Sequence, residues 1–205
     1  MIKMMNEQYI NQVKDAIQRL SPLPEKDGSK LVNLFQLSEY HKQAHIVQPT
    51  EEDSRLFFIC SGLVRYYYLD EKGGEWNKAF LTEDTLSASF SKDFLGDRSP
   101  YGIQALESTV LLTANYLEFE ALFESSPMIE RLGRKFIEQI LISKMQRERS
   151  FLQSDTKVRY LDFLSHFPDV AQRLSQYHIA SYLGVSEVSL SRIRSQLSGQ
   201  VLNNC

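Results

Sequence analysis

Apolar residues Ile10, Val13, Ile17 and Leu20 recur three or four positions apart, which predicts one buried face of a helix over residues 6–20. Ser21-Pro22-Leu23-Pro24 stops it, because proline has no N–H to donate and restrains the residue before it. A second helix is expected over residues 25–38, burying Leu31, Leu34 and Phe35. From about His41 the pattern shortens to apolar or alternating runs at 44–47, 56–60, 63–69, 76–81, 86–90, 102–106 and 109–116. These runs are rich in Val, Ile, Phe and Tyr and bounded by Gly62, Gly73-Gly74, Gly96 and Pro100, which predicts a β-sandwich or barrel. Residues 70–74 suit a hairpin loop. After Tyr116 the period becomes helical again, with a short helix over 117–125 and a long one from Pro127 to about Gln153. On the long helix Ile129, Gly133, Ile137, Leu141 and Met145 fall four apart, flanked by a second row of Leu132, Phe136 and Ile140. A helix of about 25 residues spans nearly 40 Å, more than a small sandwich needs to cover. Ser154-Asp155-Thr156 then forms a cap and hinge before a helix over 157–166, which Pro168 ends.

Residues 174–197, LSQYHIASYLGVSEVSLSRIRSQL, carry the most information. Ser175 caps a helix from Gln176, whose apolar face holds Ile179 and Leu183. Ala180 is small where two helices must approach, and Gly184 supplies the turn between them. Ser186 caps a second helix anchored by Leu190, Ile193 and Leu197. This is a helix-turn-helix. The other face of its second helix offers Glu187, Val188, Ser189, Ser191, Arg192 and Gln196, a set suited to the DNA major groove. Arg192 has the paired donors for guanine O6 and N7, Glu187 accepts from a cytosine amino group, and Ser189 and Ser191 reach bases or phosphates. Gln176, Tyr177 and His178 open the preceding helix, where free backbone N–H groups favour a phosphate. His178 on its own reads as a surface histidine.

The net charge of −3 looks wrong for a DNA binder until it is divided along the chain. Residues 127–205 hold 11 Lys and Arg against 7 Asp and Glu, a net of +4. Residues 1–126 hold 12 against 19, a net of −7. Two distant cysteines, Cys60 in an apolar run and Cys205 at the last position, argue against disulfides, zinc and iron–sulfur clusters. Four histidines at 41, 45, 166 and 178 are too scattered for a catalytic metal, so no enzyme activity and no cofactor is expected. No run approaches the roughly 18 apolar residues of a membrane span, and a cytoplasmic protein is expected.

Two segments, FFICSGLVRYYYLD at 57–70 and YHIASYLGVSEVSLSRIRSQL at 177–197, resemble the Crp/Fnr family of bacterial transcription regulators. The likeness runs from about residue 25 to 197. It implies an α+β chain: an N-terminal double-stranded β-roll of the cyclic-nucleotide-binding jelly-roll type, a long dimerisation helix, and a C-terminal winged helix-turn-helix. The corresponding domains are 1–126, 127–153 and 154–205. It implies a homodimer paired through Leu132, Phe136, Ile137, Ile140, Leu141 and Met145. It also implies double-stranded DNA as partner, read by Gln176, Tyr177, Ser186, Glu187, Val188, Ser189, Ser191 and Arg192, with RNA polymerase as a further partner. In cyclic-AMP-binding members a Gly-Glu pair holds the ribose and an Arg-Ser pair the phosphate. Residues 86–108 contain no Gly-Glu, and aligning Ile103-Gln104-Ala105 puts Ser99 rather than Arg98 at the arginine position. Cyclic AMP is therefore not expected. Tyr66, Tyr68, Phe90, Arg98 and Tyr101 are candidates to line an effector pocket. The competing reading is a small-molecule-binding module whose helix-turn-helix mediates protein contacts.

Overall fold

The computed structural model describes residues 7–90 and 99–202, with side chains through residue 198. Arg98 and Cys205 lie outside the described residues. Helix α1 spans Glu7–Leu20 and buries Val13 and Ile17. Helix α2 spans only Glu25–Val32, shorter than the expected 25–38. It ends in turn-type bonds, Leu34 N to Leu31 O and Phe35 N to Val32 O. Strand β1, Gln36–Tyr40, begins at once and pairs over five residues with the last strand of the roll. Burial of Leu31, Val32 and Phe35 is satisfied by two helical turns and a bend, so nothing remains to hold a helix beyond them.

The other strands are β2 His45–Val47, β3 Arg55–Ser61, β4 Val64–Leu69, β5 Glu75–Leu81, β6 Leu86–Ala88, β7 Tyr101–Ala105 and β8 Thr109–Asn115. They form two four-stranded antiparallel sheets, ordered β1-β8-β3-β6 and β2-β7-β4-β5, which is a jelly roll. The run LFFIC at 56–60 is apolar at every position because β3 is covered on both faces. Leu56, Phe58 and Cys60 meet the helices, whereas Phe57 and Ile59 meet the opposite sheet. Gly62 turns β3 into β4 at φ +106°, where a Cβ would lie 2.5 Å from Thr109 Oγ1.

Helix α3, Tyr116–Ala121, leads through a 3₁₀ turn at Leu122–Ser125 into helix α4, Pro127–Gln153, whose bounds agree with the periodicity. Ser126 caps α4, accepting from Ile129 N and donating to Asp27 Oδ2 at 2.8 Å. Gly133 lets the Phe123 ring lie on the helix; a Cβ there would fall 2.4 Å from it. Ile129, Leu132 and Phe136 are at most 2% exposed, packed in one core with α1, α2 and the first sheet.

Helices α5 (Thr156–His166), α6 (Val170–Arg173), α7 (Gln176–Leu183) and α8 (Glu187–Leu202) complete the chain. No strand follows Asn115 among the described residues, so the helix-turn-helix carries no wing there. Their core, built on Tyr160, Phe163, Ile179, Leu183 and Leu190, also takes in Leu63 and Phe80 from the roll. Among the described residues no helix is long and apolar enough to cross a membrane, and no cluster of His, Cys, Asp or Glu could hold a metal.

Candidate nucleic-acid interface

The helix-turn-helix assembles as its residues dictate. Ser175 Oγ accepts from His178 N to cap α7. Gly184 ends α7 in the left-handed region at φ +70°, where glycine carries no steric penalty. Ser186 Oγ then accepts from Ser189 N at 3.2 Å and opens α8. Ile179, Ala180, Leu183 and Leu190 are each at most 3% exposed, so the two helices are locked together. Glu187, Val188, Ser191, Arg192 and Gln196 all stand exposed on the other side of α8. Val188, at 62% exposure, is an apolar side chain that the protein leaves in water. Arg192 makes no ion pair or side-chain hydrogen bond among the described residues, so its guanidinium fork is unengaged. Ser189 is only half-exposed, and its hydroxyl contacts Ser186 Oγ at 3.0 Å. Gln176 and Tyr177 are exposed at the start of α7.

His178 departs from its reading as a surface histidine. It is half-buried against the roll, because α7 packs across the outer face of β5. Asn77 of β5 donates through Nδ2 to the His178 carbonyl at 2.9 Å and lies 3.2 Å from His178 Nδ1. Ser181 Oγ donates to Glu75 O at 2.9 Å and accepts from Asn77 N at 2.8 Å. Burial, reinforced by the nearby Arg65 charge and opposed by Glu75, pushes His178 down to about 4. Arg65, buried on the same face, bonds Gln104, Asn77 and Glu75, the last at 2.6 Å. Arg147 of α4 donates to both Asn77 O and Tyr182 O, and its guanidinium stacks 3.9 Å over the Tyr182 ring. Arg173 of α6 pairs with Glu83 at 3.0 Å and with Glu107, which fastens the helices to two loops of the roll. None of this was visible in the sequence, since the side chains that tie the roll to the later helices meet partners 66 to 106 residues away.

The six dimerisation candidates divide between two roles. Leu132 and Phe136 are sealed in the protomer's own core, which removes them from any interface. Ile140 packs partly against that core. Ile137, Leu141 and Met145, at 40%, 55% and 59% exposure, form an open apolar stripe with Ile142 beside it.

The effector candidates also divide. Tyr66 and Tyr101 lie buried with ring centroids 5.4 Å apart, and Tyr68 meets Tyr101 edge-on at 6.3 Å. Phe90 meets Tyr101 through its backbone, whose N–H donates to Tyr101 Oη at 2.9 Å. Its ring packs instead on Tyr116, 5.0 Å away in the helical core. The residue that sequence reasoning missed is Lys78, whose ammonium sits 4.2 Å from the centre of the Tyr101 ring.

No family sequence profile matches the chain, and no curated protein sequence does. Solved structures do share its architecture. FixK2 from Bradyrhizobium japonicum superimposes with a TM-score of 0.72 at 19% identity, over 81% of this chain and 85% of that one. A CooA variant from Carboxydothermus hydrogenoformans gives 0.69 at 18% identity, over 98% and 87%. A transcriptional regulator described as of the Crp/Fnr family, from Eubacterium rectale, gives 0.67 at 15% identity, over 87% and 85%. At these identities the likeness is one of fold.

Proposed function

We propose that this chain, which has the fold of the Crp/Fnr regulators, is itself a DNA-binding transcription regulator that acts as a homodimer. The observation that carries the reading is the outward face of α8. Leu190 is fully buried beneath it, while Glu187, Val188, Ser191 and Arg192 are left in solvent at the helix's N-terminal half. That end of a recognition helix enters the major groove, which is about 12 Å wide. Arg192 supplies a bidentate pair for guanine, Glu187 an acceptor for a cytosine amino group, and Val188 an apolar surface for a thymine methyl. Gln176 and Tyr177, beside the N–H groups that open α7, hold a phosphate and set the register.

Pairing through Ile137, Leu141 and Met145 brings two copies of α8 into successive grooves about 34 Å apart. The predicted target is an inverted repeat. The effector, where one acts, is not cyclic AMP: residues 86–108 lack the Gly-Glu pair, and Ser99 at the arginine position is buried with its hydroxyl donated to Tyr101 O at 2.7 Å. RNA polymerase is the partner that such a bound dimer would recruit or block.

The experiment is selection of genomic fragments on the purified protein, followed by sequencing. The reading expects an inverted repeat with half-site centres about 10 base pairs apart. A chain that retains no duplex at low salt, or one that retains all sequences equally, contradicts it. The first result would leave a protein-contact role for the helix-turn-helix.

A further inference from the structure

Helix α4 leaves the protomer's core before it ends. Its first half is packed there at Ile129, Leu132 and Phe136, but from Leu141 to Gln153 every residue is exposed except Arg147 and Ser150. Arg147 reaches from this bare stretch into the rest of the chain. Its Nη2 donates to Asn77 O of β5 at 3.1 Å and to Tyr182 O of α7 at 2.9 Å. Its guanidinium lies 3.9 Å from the centre of the Tyr182 ring and 4.8 Å from that of Phe151. One side chain thus joins the long helix, the roll and the first helix of the helix-turn-helix.

The joint that follows α4 is short. Ser154 and Asp155 separate α4 from α5 in extended conformation, and Asp155 caps α5 at Val158 N. Two extended residues do not by themselves fix the angle between two helices. Arg159 of α5 closes the joint, donating to Ser154 O at 2.9 Å and to Leu183 O at 3.3 Å, with its guanidinium 4.8 Å from the Phe151 ring centre. Tyr182 O and Leu183 O are among the carbonyls at the end of α7 that lack a partner within the helix. The two arginines therefore hold the helix-turn-helix at its turn, where the Phe151 ring lies against Gly184. Burial pushes the Arg147 guanidinium down from its ordinary value; Tyr182 opposes the shift and Arg159 adds to it. A buried charge is a weak source of stability, because apolar side chains of similar size pack in such places at less cost. What it supplies is geometry, since a planar fork accepts few arrangements of its acceptors.

We infer that Arg147 is a positioning residue that sets the half-site spacing the dimer accepts, by fixing the helix-turn-helix to the helix that bears the dimer stripe. The inference rests on the reading of the chain as a dimeric regulator. To follow a site one base pair longer, the two reading helices must part by about 3.4 Å and turn by about 35° relative to each other. The joint alone permits that movement; a guanidinium bonded at once to Asn77 O and Tyr182 O does not. The contacts of Asn77, Ser181 and Arg173 tie the helix-turn-helix to the roll, whereas those of Arg147 tie it to α4 as well. Arg192 reads a half-site, and Arg147 determines how far apart two half-sites stand.

The test uses the intact protein and duplexes that carry the selected inverted repeat with half-site centres about 9, 10 and 11 base pairs apart, together with one half-site alone. The wild type is expected to disfavour the spacings beside its preferred one by about tenfold, the weight of one mismatched base pair. Arg147→Met is expected to bind the single half-site as the wild type does and to accept all three spacings nearly alike. Arg147→Lys, with a point charge in place of the fork, is expected to fall between them. A readout without DNA accompanies these: pulsed electron resonance between spin labels at Gln139→Cys of α4 and Ser195→Cys of α8, in a chain carrying Cys60→Ala and Cys205→Ser and diluted with unlabelled protein so that distances within one chain are read. The distance distribution is expected to be narrow with Arg147 and broad with Arg147→Met. Three results overturn the inference: an unchanged spacing preference in Arg147→Met, an equal loss of affinity on every duplex including the single half-site, or a distribution no broader than that of the wild type. The second would mark Arg147 as a support of the fold alone. A wild type that binds no duplex overturns the regulator reading and the spacing inference together, whereas a wild type and an Arg147→Met variant with the same strict spacing overturn the inference alone.

Discussion

At the scale of single residues, the account rests on which side chains are held and which are released. Leu190 and Arg192 are two positions apart on α8, yet one is fully buried and the other exposed. Arg192→Ala is expected to cost about 1–3 kcal/mol of DNA affinity and to relax specificity at one base pair per half-site, measured by fluorescence anisotropy on the selected sequence and its variants. Equal affinity and equal preference would remove Arg192 from the interface. Gly184 tests the turn in the same motif. Its φ of +70° lies in the left-handed region, and a Cβ would approach Phe151 Cε1 to 3.1 Å. Gly184→Ala is expected to lower stability by about 1–2 kcal/mol in urea titration, and Gly184→Asn by less. Residues of this kind are legible in a sequence because their constraint is local: a cap, a turn, an anchor three or four positions on. Lys78 was not, because nothing local marks a lysine inside a strand as inward-facing. The β4–β5 register shifts between Tyr66 and Tyr67, which further disguises which neighbours it meets.

At the scale of elements, periodicity identified the long helix, with its end near Gln153, and placed most of the strands. It failed at β1, where Leu34, Phe35 and Leu37 fit a helical face as well as an edge strand; pairing with β8 decided the matter. It was silent on the packing of α7 against β5, a contact made by polar side chains distant in sequence. That contact has a pH signature. His178 is held near 4 against an ordinary value of 6.5, so the unfolded chain takes up its proton first as pH falls. The stability it contributes is complete above about pH 6.5 and declines through the window down to about 4. Urea midpoints at pH 7 and pH 4.5 are expected to fall further apart for the wild type than for His178→Gln. Equal falls would mean that His178 is not buried against Asn77.

At the scale of the whole molecule, one open stripe on α4 separates a protomer from an assembly. Ile137, Leu141 and Met145 are exposed on a face of the helix that the chain's own core leaves uncovered. Leu141→Glu with Met145→Glu is expected to leave a folded monomer in sedimentation velocity, and to weaken binding to the inverted repeat far more than to a single half-site. A dimer that survives both substitutions would place the interface elsewhere. The central claim is that two outward α8 faces read one duplex at once, and guanine-methylation interference on the selected site probes it at the atoms concerned. The account predicts that N7 methylation blocks binding at two clusters of major-groove guanines about one turn apart, and that Arg192→Ala loses the interference at one guanine in each. Interference at a single cluster, or none in the major groove, would contradict it.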